Sequence, residues 1–162
     1  MSFLLSENRE HDFPGYWKRY EDYLKAEGHR MPPGAMKLAL WSDWYDFSVH
    51  HGPHDAHLME ARLFQAASGE FLEDAVLSLN IELLGAYHDG KINLRYPHVF
   101  RYEIGSQDCT LPMNDWRYDE FKLSDNGRLL HEIEWGNGDR WLIEADDIEY
   151  KWLPFEKANG SK

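Results

Sequence analysis

The spacing of hydrophobic residues divides the chain into a short helical part and a longer part that alternates like β-strand. Tyrosines, a tryptophan and a leucine recur at helical spacing over residues 12–28, which predicts a helix with an aromatic core face. Asp12 is placed to cap this helix, and Pro32 helps to end it. Residues 34–47 are apolar nearly all round, which predicts a second helix buried on more than one side.

From residue 57 onward, apolar and polar residues alternate with the period of two that is typical of strands. We therefore predict an α+β fold in which two N-terminal helices pack on a curved, mainly antiparallel sheet of about six strands, built from hairpins and a C-terminal meander. A single domain, 1–162, would contain a helical layer at 12–47, the sheet at 57–153 and a tail at 154–162. The predicted strands are 57–65, 77–83, 91–104, 115–124, 128–135 and 139–152.

Turn residues predict the register of these strands. A two-residue type I′ turn at 89–90 would place Leu83 opposite Tyr96 and would keep the apolar residues of both strands on one face. Three-residue loops at 125–127 and 136–138, each with a left-handed glycine, do the same for the meander. The predicted meander pairs are Leu123 with Leu129, Phe121 with His131, Ile133 with Trp141, His131 with Ile143, and Leu129 with Ala145.

The meander also has two breaks in its alternation, at the acidic pairs 119–120 and 146–147. Each break predicts a bulge or a sharp bend, because the apolar residues change parity there, and we expect both acidic pairs to be solvated. The outer face of the meander is predicted to be charged. Its residues are Lys122, Glu132, Glu134, Arg140 and Glu144.

Charge narrows the classes of partner. Seventeen basic and 29 acidic residues give a net charge of −12, which repels nucleic-acid phosphates and anionic lipid and would attract a basic protein. The single cysteine, Cys109, is typical of a reducing compartment. No apolar stretch suits a signal peptide or a membrane span, so we expect a cytoplasmic protein that binds neither nucleic acid nor membrane.

Four histidines lie within the stretch HHGPHDAH at 50–57. His50, His54, Asp55 and His57 are residue types that bind zinc, so a metal site is one hypothesis. A Gly-Pro pair at the centre of the stretch prevents the continuous helix on which closely spaced ligands usually converge. The alternatives are a polar pocket wall and a solvated connector, in which Asp55 turns the chain into the first strand.

A second set of candidates lies on the predicted strands. His98 and His131 fall on apolar faces, where a histidine is commonly a hydrogen-bonded residue of the core edge. The other hypothesis is a small-ligand pocket between sheet and helices. The predicted pocket residues are Tyr96, His98, Tyr102, His131 and Trp141. The sequence contains no phosphate-binding loop and no motif of a nucleophilic or redox enzyme, so we lean against catalysis.

The overall layout resembles that of small acidic bacterial proteins of unknown function, including immunity-type proteins that neutralise a cognate toxin. The residues concerned are the two predicted helices, His54-Asp55-Ala56 before the first strand, and WGNGDRWLIEADDIEYKW at 135–152. This resemblance implies no residue roles. With the charge and the aromatic content, it favours a non-catalytic binding or inhibitory protein; the alternatives are a small-ligand-binding protein and a metal-dependent enzyme that uses the 50–57 histidines.

Overall fold

The computed structural model describes residues 1–11, 14–105, 110 and 115–157. Within these residues the fold is α+β, as predicted, with three α-helices and two antiparallel sheets of four strands each. The helices are α1 (Ser6–His11), α2 (Gly15–Glu27) and α3 (Pro33–Ala39), with 3₁₀ helices at Gly28–Arg30 and Ser42–Tyr45. The strands are β1 (His57–Ala66), β2 (Val76–Leu84), β3 (Gly90–Tyr96), β4 (Val99–Glu103), β5 (Trp116–Leu123), β6 (Leu129–Trp135), β7 (Arg140–Ala145) and β8 (Glu149–Pro154). Asp12 and Cys109 lie outside the described residues.

The helical layer is more broken than the sequence predicts. The aromatic core face of α2 is confirmed, and its buried residues are Tyr16, Tyr20 and Leu24. The predicted helix 34–47 is wrong in its second half, because Trp41 adopts an extended backbone (φ −82°, ψ 111°) and the chain resumes only as a short 3₁₀ helix. The break turns Trp44 into the core, where its side chain is 1% exposed.

Two sheets replace the single curved sheet of about six strands. Sheet A has the strand order β1-β2-β3-β8 and sheet B the order β4-β7-β6-β5. The number of strands rises to eight because the predicted strands 91–104 and 139–152 each bend and pass from one sheet to the other. The two bends are joined by hydrogen bonds from the His98 N–H to the Asp146 carboxylate (3.0 Å) and from the Asp146 N–H to the His98 carbonyl (2.9 Å). The predicted bend at 146–147 is therefore confirmed.

The meander of β5, β6 and β7 has the predicted register. All five predicted pairs occur, including Phe121 opposite His131. Gly127 (φ +71°) and Gly138 (φ +90°) adopt the left-handed conformation that the three-residue loops require.

The register of β2 with β3 differs from the prediction by four residues. Leu83 lies opposite Ile92 rather than Tyr96, because the chain turns through a four-residue loop at 86–89. His88 takes a left-handed conformation in this loop (φ +56°). A shift of four residues preserves the alternation, so the apolar residues of both strands still share one face.

The first residue of β5 meets the two residues that lead into β1, and this contact helps to enclose one core. The Asp55 N–H donates to the Trp116 carbonyl (2.8 Å), and the Trp116 N–H donates to the Ala56 carbonyl (2.9 Å). A connected set of buried apolar side chains from the helices and both sheets fills the interior. Its largest fully buried members include Trp44, Trp116, Trp135, Tyr20, Tyr96 and Phe121.

The N-terminal segment covers the outer face of β5, which was predicted to be charged. This face is charged but buried: Glu120 is fully buried and Lys122 is 8% exposed. The Glu120 carboxylate accepts hydrogen bonds from the N–H groups of Phe3 and Leu4, both at 2.7 Å, and lies 2.9 Å from the Lys122 ammonium. Phe3 and Leu4 are thereby held against the strand.

The acidic pair 119–120, predicted to form a solvated bulge or bend, is instead buried in paired strand. Both residues are buried within β5, Asp119 towards the core and Glu120 towards the N-terminal segment. The change of parity comes from a β-bulge between Trp116 and Tyr118.

The free edge of β5 is capped by tyrosine hydroxyls of α2. The Tyr20 hydroxyl accepts the Phe121 N–H (3.1 Å) and donates to the Phe121 carbonyl (3.0 Å). The Tyr23 hydroxyl accepts the Leu123 N–H (2.8 Å). Helix side chains therefore supply the hydrogen bonds that another strand would otherwise supply.

Candidate functional site

The five residues of the predicted pocket do not converge. Tyr96 and His131 are fully buried and touch each other, and Trp141 is also buried in the core. His98 lies at the strand bend, and Tyr102 is 46% exposed on β4. The structure thus brings two of the five together, in the interior rather than between sheet and helices.

Those two residues belong to a buried polar network centred on Asp119. The Tyr96 hydroxyl lies 2.7 Å from His131 Nδ1, and His131 Nε2 lies 2.9 Å from the Asp119 carboxylate. The indole N–H groups of Trp44 (2.9 Å) and Trp116 (3.1 Å) donate to the same carboxylate. All three donors are needed because an unpaired buried carboxylate is strongly unfavourable.

An Asp–His–Tyr series can move protons when its terminal hydroxyl meets a substrate. Here Tyr96 is fully buried, and burial, followed by the negative charge of Asp119, raises its pKa well above the ordinary value. The crevice beside Asp119 has a volume of about 20 Å³, which suits a single water molecule rather than a substrate. The network therefore satisfies buried polar groups and fixes the packing of the core.

The histidines of 50–57 are divided among separate carboxylates. The pairs are His50 with Asp89 (2.5 Å), His51 with Asp43 (2.9 Å), His54 with Asp55 (3.1 Å) and His57 with Asp115 (2.5 Å). The described part of the chain contains no group of three or more His, Cys, Asp or Glu side chains placed to hold a metal ion. A zinc site on His50, His54, Asp55 and His57 stays a prediction from the sequence.

The same stretch joins the helical layer to the sheet. Asp55 adopts a left-handed conformation (φ +60°), and its N–H bonds to β5 as the chain turns into β1. His51 stacks on Trp41 with ring centroids 5.2 Å apart, and the Tyr150 hydroxyl donates to the His51 carbonyl (2.6 Å). These contacts tie the stretch to the 3₁₀ region and to β8.

Sequence reasoning missed a strongly exposed apolar feature, the loop at 67–75 that connects β1 and β2. We call these residues the acidic tip. All nine are exposed, and Phe71 (83%) and Leu72 (63%) present large apolar side chains to solvent. Glu70, Glu73 and Asp74 flank them, and the tip contains no basic residue. In the sequence, the apolar pair Phe71-Leu72 within an acidic run could have indicated this feature.

The conformation of the acidic tip is defined by its own hydrogen bonds. Leu72 adopts a left-handed conformation (φ +59°), which is unfavourable for a leucine. The Glu73 carboxylate accepts the Phe71 N–H (2.8 Å), and the Leu72 N–H donates to the Gly69 carbonyl (3.3 Å). The backbone N–H groups of Glu73 itself and of Phe71 lower the pKa of the Glu73 carboxyl, so this turn contact is made by the carboxylate.

A second apolar feature is a groove of about 740 Å³ between α3 and β8. Leu40, which is 65% exposed, and Trp41 form one side, while Ile148 and Tyr150 form the other. The groove has the volume of a small-molecule site and lies between helices and sheet, where a pocket was predicted. None of the five predicted pocket residues lines it.

No protein-family model, no curated protein and no solved structure matches this chain. Among the described residues, no helix is both long enough and apolar enough to cross a membrane.

Proposed function

We propose that this protein is a non-catalytic binding protein of the inhibitory, immunity-like kind, and that its partner is a basic protein. The observation that carries the proposal is the surface: a chain of net charge −12 holds large apolar side chains exposed among acidic ones. Exposed apolar anchors within a charged surround are typical of protein interfaces.

The interior supports a non-catalytic role. The Asp119–His131–Tyr96 series has the composition of a proton relay but is sealed by core side chains. A catalytic series must reach a substrate atom, and a crevice of about 20 Å³ gives no such access.

The net charge supports a basic partner. A charge of −12 attracts cationic surfaces and accelerates their association, and salt weakens this attraction because it screens exposed charges. The proposed complex should therefore form at low ionic strength and weaken as salt is added.

Native mass spectrometry of the chain recovered from its own host tests the proposal. At low ionic strength we expect a stoichiometric complex with a basic protein, and a lower bound fraction as salt rises from about 0.05 to 0.5 M. Recovery of the chain without a partner at low ionic strength would overturn the proposal, as would a complex that salt leaves unchanged.

The groove between α3 and β8 supports a second candidate function, the binding of a small apolar ligand. Fragments that bind there should raise the Tm of the wild-type chain but not that of a Leu40→Arg variant, whose side chain would occupy the groove. Equal shifts for both chains would contradict binding at this groove. A Phe47→Arg variant, altered at another exposed apolar residue (64% exposed), is the matched control.

A further inference from the structure

The acidic tip stands at the end of a hairpin that extends past its neighbouring strand. β2 pairs with β3 from Leu79 to Leu84, whereas Val76–Ser78 pair with β1 and, among the described residues, with no other strand. β3 and β4 are separated by the strand bend, so β4 leaves sheet A at this point. Ser78 is still buried and its hydroxyl donates to the Pro97 carbonyl (2.7 Å), whereas all nine residues of the acidic tip are exposed, so the hairpin carries the tip beyond the core.

The conformation of the turn itself keeps the side chains of Phe71 and Leu72 exposed. Phe71 and Leu72 follow Gly69, whose left-handed backbone (φ +85°) starts the turn, and the Glu73 carboxylate lies directly against Gly69. The Asp74 N–H closes the turn on the Ser68 carbonyl (3.3 Å). A turn of this kind keeps both apolar side chains directed away from the core before any partner arrives, which reduces the entropy lost on binding.

The charges around the pair have a single sign. Glu70, Glu73 and Asp74 are the charged residues of the tip, and the nearest basic residue along either strand is Arg62 on β1. The groove between α3 and β8 differs, since Lys37 and Glu149 contribute opposite charges to its rim. Of these two apolar features, the acidic tip is the one that selects a cationic partner.

From this geometry we infer that the acidic tip is the element that enters the partner. Phe71 and Leu72 insert into an apolar pocket of a basic protein, and Lys or Arg side chains at the rim of that pocket meet Glu70 and Asp74. Glu73 positions the turn through its bond to the Phe71 N–H. The inference rests on the proposed function and deepens it: the binding surface is the acidic tip, and the partner's site is an apolar pocket with a basic rim.

Site-specific photo-crosslinking in the native host tests the inference. The full chain carries p-benzoylphenylalanine in place of Phe71 or, as the matched control, in place of Phe47, which is also a largely exposed phenylalanine. We expect an adduct from position 71 and none from position 47, and we expect the adducted protein to be basic when mass spectrometry identifies it. An adduct with an acidic protein, or equal adducts from both positions, would overturn the inference.

Three substitution sets sharpen the test with the partner that is identified in this way. Phe71→Ala with Leu72→Ala should weaken binding by about 100-fold or more, since truncation of central apolar anchors has effects of this size. Glu70→Lys with Asp74→Lys should mainly lower the association rate. Glu73→Ala, which removes the acceptor of the Phe71 N–H, should weaken binding while leaving the Tm unchanged. Phe47→Ala should bind as the wild type does.

The outcomes separate this inference from the proposed function. If native mass spectrometry detects a complex with a basic protein but the tip variants bind it normally, the proposed function stands and the inference about the tip is wrong. If no complex and no adduct form at low ionic strength, both are wrong.

Discussion

Asp119 is the residue on which the polar contacts of the core converge. Its carboxylate is 4% exposed and meets Trp44, Trp116 and His131. Asp119→Ala would leave three buried donors without an acceptor, so we expect the free energy of unfolding to fall by about 3–5 kcal/mol. Urea unfolding followed by tryptophan fluorescence measures this change.

Asp125→Ala is the matched control for that measurement. Asp125 is exposed in the β5–β6 loop, and the expected change lies within about 0.5 kcal/mol. Equal effects of the two substitutions would mean that the three donors do not depend on Asp119.

Buried and partly buried tyrosines predict a loss of stability in alkaline solution. Burial is the largest cause that raises the pKa of five tyrosines above the ordinary value of 10.0: to about 12 for Tyr150, and upward also for Tyr20, Tyr23, Tyr45 and Tyr96. Between pH 10 and about 12 the unfolded chain releases protons that the folded chain retains, so the free energy of unfolding falls as pH rises.

Denaturant unfolding at a series of pH values tests this prediction, with the near-ultraviolet absorbance of tyrosinate as a second signal. The absorbance of these five tyrosines, of which Tyr20 and Tyr96 are fully buried, should rise together with unfolding, and Tyr150→Phe should make the fall in stability shallower. Reversible ionisation of all nine tyrosines near pH 10 in a chain that stays folded would contradict the prediction.

At the scale of elements, α3 is fastened to the bend between β7 and β8. The Asp147 carboxylate accepts the N–H groups of Gly34 and Ala35, both at 2.9 Å, and so caps the helix from a bend that is distant in sequence. A Cβ at position 34 would overlap the Ile148 carbonyl oxygen. Gly34→Ala should therefore lower the free energy of unfolding by about 1–3 kcal/mol.

Gly105→Ala is a matched control for Gly34→Ala, because a Cβ at position 105 meets no atom of the described residues within 4 Å. Thermal unfolding should show a lower Tm for the first variant and little change for the second. A Tm for Gly34→Ala equal to that of the wild type would mean that α3 can move away from the bend at no cost.

The strands whose pairing could be predicted are those joined by turn residues that allow only one loop length. Asn126-Gly127 and Gly136-Asn137-Gly138 allow only one loop length that keeps the apolar residues on one face, and the meander follows it. Asp89-Gly90 also looks like a tight turn, but the loop used needs a left-handed His88, which residue preference does not signal. The early end of α3 depends on Trp44 reaching Asp119, a contact distant in sequence.

The candidate sites were less predictable because they depend on contacts between elements. The bulge between Trp116 and Tyr118 sets which way Asp119 faces, and the parity change in the sequence indicates a bulge in this strand but not its position. The histidines of 50–57 find carboxylates as distant as Asp89 and Asp115. The acidic tip is visible as Phe71 and Leu72 among acids, but only the fold establishes that these side chains are exposed.

At the scale of the whole molecule, the N-terminal segment is part of the folded body. Phe3, Leu4 and Leu5 are buried, and Lys122 donates to the Met1 carbonyl (2.9 Å). A chain without residues 2–9 would expose the buried charges of β5 and lose three apolar anchors, so we expect its free energy of unfolding to fall by about 5 kcal/mol. Denaturant unfolding tests this.

Glu7→Ala is the control for that truncation, because the contacts described for Glu7, an ion pair with Arg140 and a hydrogen bond from the Ser2 hydroxyl, are exposed. Its effect should stay below about 1 kcal/mol. If the truncated chain were as stable as the control, the N-terminal segment would contribute nothing to the free energy of unfolding.

The tyrosine hydroxyls at the edge of β5 have a consequence for hydrogen exchange. The amide protons of Phe121 and Leu123 are held by Tyr20 and Tyr23, not by a neighbouring strand. Their exchange with deuterium therefore requires α2 to move away, while the β5–β6 ladder can stay closed. In Tyr23→Phe the Leu123 amide should exchange faster than its neighbours on β6. These two amides report how often the helix leaves the sheet.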